Sequence, residues 1–66
     1  MQLVVNGAAK EIADGTTLSV LIESLGLRVG SVVVEHNGTA LLRSEVQAAA
    51  LADGDRIELV RAVAGG

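Results

Sequence analysis

One stretch of this chain repeats with the period of a helix, and the segments around it repeat with the period of strands. Leu18, Leu21, Ile22 and Leu25 fall at i, i+3, i+4 and i+7, a single helical face. Thr17 is placed to cap that helix, because its hydroxyl can accept one of the orphan first-turn amides. Gly26 suits the left-handed position after the last turn, and Leu27 can supply the apolar contact that goes with such a cap. On the N-terminal side, Met1 to Val5 reads as a strand with Met1, Leu3 and Val5 on one face. Asn6-Gly7 is a tight-turn signal, Ala8 to Ile12 returns as a second strand, and Asp14-Gly15 closes it. On the C-terminal side, Arg28 to Ser31 reads as a loop and Val32 to Glu35 as a strand. Asn37-Gly38 turns the chain into a short return strand, Ala40 to Arg43. Ser44-Glu45-Val46-Gln47 has capping-box form and starts a short helical turn. Ala48 to Ala52 fits neither period, Asp53-Gly54-Asp55 is a turn, and Arg56 to Val63 is the last strand. A lone main helix among strands in so short a chain must cover one face of a single sheet, which makes the fold class α+β.

Composition narrows the core and the chemistry. At 66 residues there is room for one domain, and a domain near this size buries only about 60% of the surface its unfolded chain exposes. Half of the residues are apolar and none is aromatic, so the core must be built from Leu, Val, Ile and Ala, with Met1 the only sulfur. Without cysteine there is no disulfide, no zinc–thiolate site and no thiol nucleophile. A net charge of −3, with five cationic residues scattered along the sequence, argues against nucleic acid. No apolar run approaches the roughly 20 residues of a membrane span. A secretory leader pattern is also missing, so the expectation is a soluble cytoplasmic protein.

The chemically distinctive group is the end of the chain. Gly65-Gly66 makes a thin lead without side chains, preceded by Ala64, and its α-carboxylate can enter a narrow active site that would reject any side chain. Such a carboxyl has a pKa of about 3.3–3.7, so at neutral pH it is ionised and a poor electrophile until one oxygen becomes a good leaving group. A frayed terminus is the bland alternative. Elsewhere no catalytic arrangement is legible. His36 reads as a solvated histidine at a strand end, Asp53 and Asp55 as turn residues, and Glu11, Asp14 and Glu23 as a solvated acidic surface. Lys10 could accept a conjugated carboxylate, as any exposed lysine could. If Ile57 and Leu59 face the core, Val60 faces outward, and by the same count so do Val4 and Val33. On neighbouring strands these three would form one exposed apolar patch suited to docking a partner. General β-propensity of valine is the competing explanation.

The element order resembles that of the β-grasp, or ubiquitin-like, fold, and by that analogy the chain is a mixed sheet covered by one main helix, with first and last strands side by side near the centre. With the elements so placed, the sequence resembles the ThiS family of sulfur carriers of thiamin (thiazole) biosynthesis over nearly its whole length. The resemblance is carried by Val5-Asn6-Gly7, Gly15-Thr16-Thr17-Leu18, Leu25-Gly26, Asn37-Gly38, Arg43-Ser44-Glu45, Gly54-Asp55-Arg56 and the ending Arg61-Ala62-Val63-Ala64-Gly65-Gly66. Val46 stands where many relatives carry Trp, Leu42 where Pro is common, and His36 in a slot that is usually apolar. The resemblance implies a β-grasp domain over 1–63 and a tail, 64–66, carrying the reactive carboxylate. It implies a protein cosubstrate with no catalytic residues, cofactor or metal of its own. A ThiF-like adenylyltransferase would adenylate Gly66, and sulfur from a cysteine-desulfurase persulfide would replace the adenylate to give a thiocarboxylate. Thiazole synthase (ThiG-like) would take that sulfur. Sulfur carriers of the molybdopterin, cysteine and secondary-metabolite pathways, and ubiquitin-like modifiers, share this shape and stay open as alternatives.

Overall fold

The structure, a computed structural model, describes residues 1–61. Five strands form one sheet in the order β2-β1-β5-β3-β4. Strand β1 (Gln2–Val5) pairs antiparallel with β2 (Ala8–Glu11) and parallel with β5 (Arg56–Arg61). On its other side β5 pairs antiparallel with β3 (Val32–His36), which pairs antiparallel with β4 (Thr39–Leu41). Helix α1 (Leu18–Ser24), a 3₁₀ turn (Val29–Ser31) and helix α2 (Arg43–Ala48) connect the strands. This mixed sheet with a helix packed on it is the ubiquitin-like β-grasp, and the fold class is α+β as the sequence implied.

Local chemistry explains the elements. In both hairpins the two turn residues have positive φ: 50° and 81° at Asn6-Gly7, and 51° and 86° at Asn37-Gly38. That geometry matches the twist of the flanking strands, and Asn and Gly adopt it at low cost. Thr17 caps α1 by accepting the Val20 N–H at 3.2 Å. At its other end Gly26 N–H donates to the Glu23 carbonyl and Leu27 N–H to that of Ile22, the paired bonds of a Schellman ending, with Gly26 at φ 78°.

The core joins Leu3 and Val5 of β1, Leu18, Leu21 and Ile22 of α1, Val34 of β3, Val46 of α2, and Ile57 and Leu59 of β5. Leu25 departs from the expected stripe. It is the C-cap residue, 36% exposed, and Leu27 packs against the core after the chain reverses. The Arg28 to Ser31 loop contains a 3₁₀ turn. The return strand ends at Leu41, and α2 starts at Arg43 rather than after Ser44. Leu42 is its N-cap and Glu45, not Gln47, reaches back to bond the cap N–H at 2.7 Å. Leucine offers no acceptor in return, so only half of a capping box forms. The earlier start adds two residues, about half a turn, to the helix ahead of Val46, which is buried on the core side.

Candidate functional site

Strand β5 carries the chain from the centre of the sheet toward its C-terminus, and its position decides what the terminus can reach. Its lower end is held on both flanks. Val4 N–H donates to the Asp55 carbonyl and Asn6 N–H to that of Ile57, both at 2.9 Å. Asn37 N–H donates to the Arg56 carbonyl at 2.8 Å. Where β1 turns away, the Asn6 side chain takes over: its Oδ1 accepts the Leu59 N–H at 2.7 Å. Asn37 does the same at the other corner, accepting the Arg56 N–H at 2.8 Å. Both asparagines read from sequence as turn residues alone, and no local pattern reveals a bond to a strand 19 or 53 residues away. Beyond Leu59 the ladder continues on one side only, with Val60 opposite Val33 and Arg61 opposite Val32. Ala64, Gly65 and Gly66 lie outside the described residues, as do Ala62 and Val63.

The outward valines are placed by register. Val33 and Val60 are direct cross-strand partners, 51% and 62% exposed. Val4 is half-buried and sits beside Ala9 and Arg56. Four residues separate Arg56 from Val60, roughly 13 Å along β5 at 3.3 Å per residue. Their strands are neighbours, as expected, but the three valines do not form one patch. Glu58, opposite Glu35, interrupts the row. The exposed apolar unit is the Val33–Val60 pair, with Val4 at the far end of the same face.

His36 is half-buried rather than free in solvent. It pairs with Ile57, whose side chain is fully buried, and Nε2 lies 2.8 Å from Asp55 Oδ2. Burial by itself would push the Asp55 carboxyl up. Hydrogen bonds from the Asn37 amide, the His36 ring and the Ala52 N–H outweigh it and hold the carboxyl at about 2. Asp55 is therefore an ionised acceptor, and Nε2 of His36 must carry the proton between them. Asp53 and Asp14 keep exposed carboxylates, yet each accepts a bond at the start of β1: Asp53 from the Gln2 N–H at 2.6 Å, Asp14 from the Met1 amino group at 2.9 Å. These contacts tie the start of β1 to the turns beside it and the end of β3 to the entry of β5. No group of three or more His, Cys, Asp or Glu that could hold a metal ion occurs among the described residues, and no helix there is long and apolar enough to cross a membrane.

Comparison with known proteins agrees with this geometry. The structure resembles the crystal structure of a thiamine biosynthesis protein (ThiS) from Geobacter metallireducens, with a TM-score of 0.80 and 33% identity over the whole of both chains. A thiazole synthase of Paramagnetospirillum magneticum is 33% identical over 66 residues, all of this chain and 20% of that protein. The chain thus spans about a fifth of the length of that curated relative. A family model described as the ThiS family matches residues 3–66. The chain belongs to the ThiS family.

Proposed function

We propose that this protein is a sulfur carrier of thiamin biosynthesis, acting as a cosubstrate whose reactive group is the α-carboxylate of Gly66. The observation that carries the reading is that the family match runs through Gly66 itself. Activation starts when a carboxylate oxygen attacks the α-phosphorus of ATP on a ThiF-like adenylyltransferase and pyrophosphate leaves. The terminal sulfur of a persulfide, supplied by a cysteine desulfurase, then displaces AMP from the acyl carbon. A thiol cleaves the resulting acyl disulfide and leaves the thiocarboxylate. Residues 1–63 serve as the docking body and 64–66 as the lead, with Gly65 and Ala64 small enough to thread a narrow entrance. Thiazole synthase is the favoured sulfur acceptor, because a protein bearing that name contains a segment similar to this whole chain. The Val33–Val60 pair is the proposed centre of the docking face, with Val4 at its edge.

Incubation with ATP, the adenylyltransferase, a persulfide donor and a thiol tests the reading. Intact-mass spectrometry should register one sulfur-for-oxygen exchange, mapped to Gly66 by fragmentation. A branched adduct on a lysine would assign the chain to the modifiers instead. No mass change would end the carrier reading.

A further inference from the structure

The five cationic residues, dispersed in sequence, are not dispersed in space. Arg28 and Arg61 wall a groove of about 300 Å³ whose other lining residues are Gly26, Leu27 and Ser31. Arg43 lies outside the lining but packs its guanidinium against Gly30, next in sequence to Ser31, with Cζ 3.1 Å from where a Cβ would stand. Glycine at that position is what allows the approach. Lys10 and Arg56, the other two cations, lie toward the opposite end of the sheet. Arg56 is five residues, roughly 16 Å, down β5 from Arg61, and Lys10 pairs with Leu3 at the start of β1.

Negative charge is arranged the other way. Glu11, Asp14, Asp53 and Asp55 gather around the start of β1 and the entry to β5. The molecule, net −3, therefore carries two arginines on one groove near the end of β5, while four of its eight acidic residues gather near where β5 begins. Among the described residues none of the three guanidiniums makes an ion pair, and none makes a side-chain hydrogen bond. At the end of α1 the Glu23 and Ile22 carbonyls are taken by the Gly26 and Leu27 amides rather than by an arginine.

We propose that this groove receives an acidic segment of a protein partner and seats that partner at the base of the C-terminal segment. Guanidinium forks match carboxylates two bonds at a time, and two of them walling one small depression suit a segment carrying two acidic side chains. A local basic cluster on a net-acidic protein also orients the approach of an acidic segment toward it. The identity of the partner as the adenylyltransferase or sulfur acceptor rests on the reading above; the chemistry of the groove does not.

The test uses the full ¹⁵N-labelled chain and two probes, an end-blocked hexapeptide of alternating Asp and Glu and, separately, inorganic phosphate. At about 20 mM salt the peptide should shift the amides of Gly26, Leu27, Arg28, Ser31 and Arg61, and at about 500 mM the shifts should vanish. Arg28→Glu with Arg61→Glu should abolish them, whereas Lys10→Glu, with a smaller but same-signed charge change, should not. The same double variant should weaken binding of the adenylyltransferase by about tenfold or more, mostly through slower association. Equal shifts from phosphate would make the groove a small-oxyanion site and overturn the proposal. So would shifts spread over Lys10 and Arg56, no shifts at all, or unchanged affinity in the double variant. If the native chain is not a substrate of the adenylyltransferase, the carrier reading fails, and the peptide titration still decides what the groove takes.

Discussion

His36 shows how a residue with no catalytic company can be misread. It ends a strand beside an Asn-Gly turn, and that position suggests solvent. Parity says otherwise, since Val32, Val34 and His36 share the face of β3 that looks to the core. The inward histidine needs a partner, and Asp55 supplies it from 19 residues away at 2.8 Å. Period 2 could have placed the ring, but no local signal names the carboxylate that meets it. Asp55 carries a pH dependence whose direction is fixed. Its carboxyl sits near 3.9 in the unfolded chain and is lowered to about 2 in the fold. The associated stability is fully present above pH ~4 to 5 and is lost as pH falls through the folded value, a loss on the order of 2 kcal/mol. Urea denaturation at pH 7, 4 and 2.5 should show this acid limb in the native protein. Asp55→Asn should be less stable at neutral pH, because an amide cannot accept all three bonds, and its profile should be flatter between pH 4 and 2.5. An acid limb as steep in the variant as in the native chain would place the titrating group elsewhere.

Helix α1 and the two Asn-Gly hairpins were legible because each is specified within about ten consecutive residues. Caps, period and turn chemistry there all agree. What was not legible depends on contacts between elements. The α2 register follows from burying Val46, and the Ser44–Gln47 pattern points to a start two residues late, because a Leu42 cap leaves no sequence signal. The stripe was right in three of its four members; Leu25 escapes burial because the Schellman reversal brings Leu27 onto the core in its place. This yields a graded prediction. Leu21→Ala should cost about 2–5 kcal/mol, against a total of roughly 3–10 kcal/mol for a domain this size. Leu25→Ala should cost under about 1 kcal/mol, since a third of the side chain is already in water. Thermal unfolding of the two variants checks the order, and equal losses would mean that the helix presents a different face. On the opposite face of the sheet, Val60→Asp alters an exposed side chain paired with Val33. It should leave the melting temperature within a few degrees of native and weaken binding to the adenylyltransferase or thiazole synthase. Unaltered affinity in a titration would remove the valine pair from the docking face.

At the scale of the whole molecule, stability and chemistry occupy different parts of the chain. The core described here draws on β1, α1, β3, α2 and β5, and its last member in sequence is Leu59. The proposed reactive group is seven residues further on, at Gly66. Fold class could be read because a lone helix has one sheet to cover. The docking face could be read only in part, because strand register, not strand order, decides which outward residues touch. Separation of body and terminus makes the central claim testable without confusing it with unfolding. A residue appended after Gly66 converts the α-carboxylate into a peptide bond, which cannot attack ATP, so sulfur incorporation should be abolished while the melting temperature stays the same. Removing Gly66 leaves a carboxylate on Gly65, one residue short of the enzyme's reactive centre. Misplacement by 1 Å can already cost ~100-fold in rate, and a residue spans more than 3 Å. Gly65→Ala adds a single methyl to the lead and should slow modification without changing stability. Rates read by intact mass, alongside melting curves for all three variants, decide the matter: if the extended chain gains sulfur as fast as the native one, the reactive group is not the terminal carboxylate, whatever the fold.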